Sequence, residues 1–127
     1  MGLRNPVAAA FTMAMLICGC NQTTPEEHLL RGNALQAKDD HAKAIEEYSE
    51  AILLDSEFRE AYVRRGESWN RTRRFKRAIA DWTMAIRLDD DDPAPYSMRG
   101  AAHLILGDCD EAIADYTRAI ELKPDGE

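Results

Sequence analysis

Apolar residues recur at helical spacing through most of this chain, in pairs of amphipathic segments joined by short polar turns. Within residues 59–92, a first segment of small and aromatic residues runs from Ala61 to Trp69. A second runs from Phe75 to Leu88, with apolar residues at i, i+3, i+4 and i+7. This spacing places the apolar residues on one face of an α-helix. The pattern therefore predicts two helices with a turn between them.

The same helix pair occurs three times with a fixed period. Four kinds of position recur 34 residues apart in one ungapped register: Gly32, Gly66 and Gly100; Ala44, Ala78 and Ala112; Tyr48, Trp82 and Tyr116; Ala51, Ala85 and Ala119. A fixed period of this length is typical of a solenoid, in which neighbouring units share one continuous core. We therefore predict an all-α solenoid of three helix-turn-helix repeats, at residues 25–58, 59–92 and 93–126 of a domain that spans 25–127.

The repeated small residues and charges have structural explanations. Two antiparallel helices approach closely only where side chains are small, so we expect the glycine and the first alanine of each repeat to form that contact. Arginines recur on the first helix and acids on the second: Arg31, Arg65 and Arg99 with Glu47, Asp81 and Asp115. We expect one structural ion pair in each repeat, with the arginine stems packed in the interface. An arginine array that binds a ligand is the alternative.

The first twenty residues differ in kind from the repeats. Arg4 precedes an almost entirely apolar run at residues 6–17, and small residues follow. A basic start, a short apolar core and small residues at the cleavage point are the layout of a secretory signal. The apolar run is shorter than the roughly 20 residues that a membrane-spanning helix needs. We therefore predict a signal peptide at residues 1–19 that is removed from the mature protein.

The end of this segment resembles the lipobox of bacterial lipoproteins. Ile17 and Gly19 flank Cys18, and Cys20 follows directly. The resemblance implies that Cys20 is lipidated with a fatty acid and that residues 20–24 form a short linker to the repeats. Because Asn21 is not Asp, it also implies an outer-membrane lipoprotein facing the periplasm. An ordinary cleaved signal, in which Cys20 is incidental, is the alternative.

The repeats resemble the tetratricopeptide repeat family over nearly the whole mature chain. The glycine, alanine and aromatic positions fall at the family's offsets, and Pro124 matches its closing proline. One departure is His28, which stands where Tyr62 and Tyr96 replace the usual tryptophan. The resemblance implies an adaptor without enzymatic activity that binds a protein or peptide on a concave face formed by the first helix of each repeat. That face is expected to comprise Leu29, Asn33, Gln36, Val63, Glu67, Asn70, Arg71, Ser97, Ala101, Leu104 and Ile105.

One subfamily grips the C-terminal carboxylates of chaperones with a two-carboxylate clamp. The resemblance places that clamp at Leu29, Asn33, Arg64, Ala94 and Met98, where the subfamily has Lys, Asn, Asn, Lys and Arg. Only the asparagine matches. The sequence therefore does not predict a carboxylate clamp, and a helix or extended segment with an apolar anchor at one end is expected in the groove.

Composition and motifs narrow the remaining chemistry. The formal net charge is −7 at pH 7, and no basic stripe stands out that would serve nucleic acid. There is no P-loop, Rossmann fingerprint, CxxC pair or catalytic set, so neither enzymatic activity nor a cofactor is expected. His41, Phe75 and Cys109 share one repeat position and are expected in the core. Asp89–Asp92 lacks the alternation of a calcium loop, so we expect a solvated turn and no metal site.

Two functional hypotheses remain. The first is an envelope adaptor, similar to tetratricopeptide lipoproteins that act as pilotins or recruit envelope enzymes. The alternative is a structural subunit that self-associates, including a homodimer through the C-terminal repeat. Apolar residues in that repeat are expected to form a contact surface, because exposed apolar patches mark interaction sites. They are Leu106, Ile113, Ile120 and Leu122, and a partner, a second copy or the turn at Lys123–Glu127 would cover them.

Overall fold

A computed structural model describes residues 22–123, which form six α-helices and contain no strand. The helices are α1 (Pro25–Ala37), α2 (His41–Leu54), α3 (Arg59–Arg71), α4 (Phe75–Leu88), α5 (Pro93–Leu106) and α6 (Cys109–Glu121). Each helix packs on its neighbours along the chain, so that three helix pairs stack in order. The predicted all-α solenoid is confirmed. The predicted signal peptide, Cys20 and Pro124 lie outside the described residues.

Local sequence signals set the helix ends. Thr24 and Glu27 form a capping box at the start of α1, which satisfies backbone groups that have no partner within the helix. Pro93 begins α5, and the Asp92 side chain caps it. The turn inside each helix pair contains a residue in the left-handed conformation. These residues are Asp39, Arg73 and Gly107, with φ angles of 65°, 64° and 85°.

The repeated glycines bring the two helices of a pair into contact, as expected. A Cβ atom on Gly32 would lie 2.5 Å from Cε1 of Tyr48, and one on Gly66 would lie 2.6 Å from Nε1 of Trp82. The aromatic ring of the second helix therefore lies directly against the backbone of the first. The third pair is looser, because a Cβ on Gly100 would lie 3.2 Å from Cβ of Asp115.

The arginines of the second and third repeats form the expected structural pairs. Arg65 donates two hydrogen bonds to the Asp81 carboxylate, at 2.8 and 2.7 Å, and a third to Ser49 Oγ at 3.1 Å. Arg99 binds Asp115 and Thr83 Oγ1 with the same three distances. Each guanidinium therefore joins both helices of its own repeat to the last helix of the preceding repeat.

The expected pair between Arg31 and Glu47 is wrong. Glu47 Oε2 lies 2.7 Å from Nδ1 of His28, and no carboxylate of the described residues pairs with Arg31, which is exposed. His28 occupies the position of Tyr62 and Tyr96, whose hydroxyls donate to backbone carbonyls, whereas the His28 ring nitrogen lies against the Glu47 carboxylate. In the described chain no helix precedes α1 to supply the hydroxyl that holds the other arginines.

The expected core position of Cys109 is also wrong, because its side chain is exposed. The two equivalent residues contact the following repeat: His41 Nδ1 lies 3.3 Å from Ser68 Oγ, and Phe75 packs against the cluster that contains Ala102. Cys109 begins the last described helix and has no such neighbour. Among residues 22–123, no helix has both the length and the apolar character needed to cross a bilayer.

Candidate peptide-binding groove

The first helices of the three repeats enclose a cleft of about 760 Å³. Residues of α1, α3 and α5 supply most of its walls, and the turn between α1 and α2 closes one side. The lining residues are Asn33, Gln36, Ala37, Asp39, His41, Arg64, Glu67, Asn70, Arg71, Trp82, Met98 and Ala101. The predicted groove residues Asn33, Gln36, Glu67, Asn70, Arg71 and Ala101 are among them.

The remaining predicted residues do not line this cleft. Val63 is 9% exposed and packs in the core with Tyr62 and Ala85, so its assignment to the groove is corrected. Leu29 and Ser97 share its repeat position and are likewise absent from the lining. The following position, which holds Arg64 and Met98, faces the cleft instead. The last two predicted residues, Leu104 and Ile105, are exposed to solvent and are not among the residues that line the cleft.

Side-chain amides give the cleft its capacity for hydrogen bonding. Asn33 Oδ1 accepts a bond of 2.8 Å from the Tyr48 hydroxyl, and its amide nitrogen makes no bond within the described residues. The Asn70 side chain makes none there either, whereas Gln36 Nε2 is fixed by the Arg64 carbonyl and Ser68 Oγ at 3.2 and 3.0 Å. Free amides both donate and accept, which suits the backbone of an extended peptide.

The charges at the centre of the cleft are paired, with one arginine between two carboxylates. Arg64 donates to Glu60 at 2.9 Å and to Glu67 at 3.5 Å. Burial raises the pKa of Glu67, and the Arg64 charge opposes that rise. Burial also raises the pKa of Tyr48 to about 12, so its hydroxyl remains a neutral donor to Asn33 near pH 7. The centre of the groove is therefore polar, and its one arginine is already held by two carboxylates.

A basic cluster adjoins one end of the cleft, at the turn between α3 and α4. Its members are exposed cations: Arg71, Arg73, Arg74, Lys76 and Arg77. None of them forms an ion pair with a carboxylate in residues 22–123, and Arg71 also lines the cleft. This cluster was not predicted from the sequence, because the net charge of the whole chain is acidic. The sequence feature that could have predicted the cluster is the run of five basic residues between Arg71 and Arg77.

Comparison with known proteins agrees with this architecture. The Arabidopsis OM64 TPR domain is 30% identical, with 80% of this chain and 84% of that chain covered and a TM-score of 0.77. The second TPR of Spaghetti (RPAP3), solved with the HSP90 peptide SRMEEVD, is 26% identical. The match covers 79% of this chain and 93% of that chain, with a TM-score of 0.76. MamA, at 24% identity, shares the fold with a TM-score of 0.80 over 83% of this chain and 61% of that chain.

The family of this chain follows from a comparison of its sequence with family models. A search of curated proteins found no match to this chain. The family model for the tetratricopeptide repeat matches residues 29–93 and 73–127. These two ranges together span all six helices, beginning within α1. The chain therefore belongs to the tetratricopeptide repeat family.

Proposed function

We propose that this chain is a non-enzymatic adaptor that binds a polypeptide segment of a partner protein in its concave groove. Tetratricopeptide repeat domains mediate protein–protein interactions, and the second TPR of Spaghetti was solved with a peptide. The observation that carries the proposal is the pair of side chains Asn33 and Asn70, which come from neighbouring repeats and line one cleft. The Asn33 amide nitrogen and the whole Asn70 amide have no hydrogen-bond partner among the described residues.

The bound segment differs from the acidic chaperone terminus that a carboxylate clamp takes. Leu29, Ala94 and Met98 supply no cation at the clamp positions, and two acids already neutralise Arg64. The groove instead offers amides at its centre and the apolar side chains of Met98 and Ala101 on one wall. We expect an extended segment that places an apolar residue on that wall.

The basic cluster indicates which residue type the bound segment carries at one of its ends. Arg71 belongs both to the cleft and to the cluster, so a chain leaving the groove there passes unpaired cations. An acidic residue in the segment would gain charge-assisted hydrogen bonds at this point, which are stronger than neutral ones. The proposed ligand is therefore a segment with an apolar anchor and an acidic flank.

We further propose that the adaptor is a lipoprotein of the bacterial outer membrane that faces the periplasm, with a pilotin-like or enzyme-recruiting role. The proposal is supported by the lipobox-like sequence that ends at Cys20. The five residues from Cys20 to Thr24 reach at most about 17 Å when extended, so α1 would begin close to the bilayer. The basic cluster would then lie near the opposite edge, about 20 Å away along a helix of this length.

Peptide display followed by titration tests the groove. Segments selected on the wild-type protein are measured against the double variant Asn33→Ala and Asn70→Ala by fluorescence anisotropy, with Leu53→Ala on the exposed side of α2 as the matched control. We expect at least tenfold weaker binding for the groove variant, since two hydrogen bonds of about 1 kcal/mol each are lost. Equal affinities for all three proteins would contradict the proposal.

The peptide SRMEEVD provides a second, independent test. It was solved bound to the second TPR of Spaghetti. Because this chain lacks cations at three clamp positions, we expect no saturable binding at micromolar concentrations. Micromolar affinity would show that the proposed chemistry of the groove is wrong.

A further inference from the structure

The two joints between repeats share the same hydrogen bond, and in each joint an isoleucine packs across the contact. In the first joint, Arg65 of α3 donates to Ser49 of α2, and Ile52 of α2 packs against the core cluster of α3. In the second joint, Arg99 of α5 donates to Thr83 of α4, and Ile79 packs against the cluster that contains Ala102. In both joints, therefore, a hydroxyl on the second helix meets an arginine on the next first helix. The first residue of that second helix, His41 or Phe75, contacts Ser68 or the cluster that contains Ala102.

The last described helix, α6, repeats the hydroxyl side of such a joint. Ile113, Thr117 and Ile120 stand where α4 has Ile79, Thr83 and Ile86. We call these three residues the rear face. In the described structure Ile113 is 64% exposed and Ile120 is 68% exposed, and Thr117 is exposed as well. The equivalent residues of α4 are covered by the third repeat, because Thr83 accepts a hydrogen bond from Arg99 and Ile79 packs against the cluster that contains Ala102.

The first helix, α1, carries the arginine and the small residue that a first helix contributes to an internal joint. Arg31 and Ala34, which we call the front face, stand where α5 has Arg99 and Ala102. Ala34 is exposed, although its equivalents Ser68 and Ala102 are fully buried by the preceding repeat. Arg31 is free of its expected acid because His28 binds Glu47 instead. Its guanidinium is therefore available to a hydroxyl outside its own repeat.

We infer that the rear face of one copy binds the front face of a second copy, head to tail, so that the intermolecular contact repeats the internal joint. Arg31 of the second copy would donate to Thr117, as Arg99 donates to Thr83. Cys109 would lie against Ala34 of the second copy, as His41 lies against Ser68. This arrangement differs from a symmetric homodimer through the C-terminal repeat. It leaves the concave cleft open, so it does not rest on the proposed peptide binding.

Head-to-tail contact has a consequence for assembly. The two faces lie at opposite ends of the same chain, so the interface is heterologous and each added copy exposes a new rear face. Assembly then proceeds beyond the dimer unless the rotation between copies closes a ring. The hydroxyl, arginine and alanine that match across the contact fix its register, and the two isoleucines supply the apolar area that is removed from water.

Disulfide crosslinking measures this register directly. The test protein is the full chain with Cys18→Ser and Cys20→Ser, which leaves Cys109 as its one thiol, and with Ala34→Cys added. Mild oxidation should produce a ladder of dimers, trimers and larger species, because Cys109 of one copy meets residue 34 of the next. Adding Ile113→Arg should abolish the ladder, and circular dichroism should show that both proteins remain helical.

Two controls decide between the outcomes. The parent without Ala34→Cys can form only dimers through Cys109, and Leu53→Cys places a second exposed thiol away from both faces. Ladders from Ala34→Cys that far exceed those from Leu53→Cys support the head-to-tail contact. Dimers alone would indicate a symmetric contact through the C-terminal repeat and overturn the inference. A monomer in every variant, or equal ladders from both cysteine positions, would overturn it as well.

Discussion

Replacing Gly66 with alanine tests how closely the two helices of the central repeat are packed. The added Cβ would lie 2.6 Å from Nε1 of Trp82 and 2.9 Å from two further atoms of that ring. Trp82 is 1% exposed, and its Nε1 donates to the Val63 carbonyl at 3.3 Å. The ring therefore has no free space into which it can move, and the helices must separate or the hydrogen bond must break.

The size of the effect follows from two opposing contributions. Alanine favours a helix interior over glycine by about 1 kcal/mol, which would stabilise the variant. Overpacking a dense core costs about 1–3 kcal/mol, and an unmade buried hydrogen bond costs about 1–3 kcal/mol more. We expect a net loss of about 2 kcal/mol in the free energy of unfolding. For a domain of this size, that loss lowers the melting temperature by roughly 8–16 °C.

Gly100→Ala is the matched control, because it lies at the same repeat position with more space. Its Cβ would lie 3.2 Å from Cβ of Asp115 and 3.4 Å from the next nearest atoms. A shift of a few tenths of an ångström relieves this contact, so the gain in helix propensity should leave stability nearly unchanged. Thermal unfolding followed by circular dichroism measures both variants. Equal melting temperatures for the two variants would refute the packing argument.

Three further predictions concern the core, the ion pairs and the membrane anchor. Arg65→Ala leaves the Asp81 carboxylate buried without its partner and should cost about 3 kcal/mol, whereas Arg31→Ala should cost almost nothing; urea unfolding measures both. Burial already raises the pKa of Asp81, and loss of Arg65 raises it further, so the folded variant binds a proton more readily than the unfolded chain. The destabilisation should therefore shrink as pH falls from 7 towards 5, and a loss that grows on acidification would contradict this sign. Ala78→Leu overpacks a fully buried contact and should lower the melting temperature, so an unchanged value would mean that the repeat register is wrong. Cys20→Ala should release the protein from the membrane fraction or leave it uncleaved, and a wild-type chain that takes up no labelled fatty acid would refute the anchor.

The 34-residue period predicted the helices because equivalent residues have equivalent surroundings inside a stack. Gly32 and Gly66 each meet an aromatic ring, and Arg65 and Arg99 each bind an aspartate and a hydroxyl. The same reasoning fails at the ends of the described array, where a neighbouring repeat is absent. Cys109 is exposed for this reason, and so is Arg31.

The groove was harder to predict than the fold. A period identifies which residues are equivalent, but it does not fix how each helix is rotated about its axis. One residue corresponds to about 100° around a helix, because an α-helix has 3.6 residues per turn. Val63 therefore enters the core while Arg64 lines the cleft. The pairing of Arg64 with Glu60 and Glu67 depends on that rotation and was not predictable from the spacing alone.

Site-specific photo-crosslinking in intact cells tests the central proposal most directly. A photoreactive amino acid is placed at Ala37 in the cleft, which leaves both amides in place, and, as a control, at Ala80 on the exposed side of α4. We expect the Ala37 probe to capture one discrete partner protein, distinct from a second copy of this chain, and the Ala80 probe to capture none. Capture of the same partner at both positions, or at Ala80 alone, would show that the concave groove is not the binding surface.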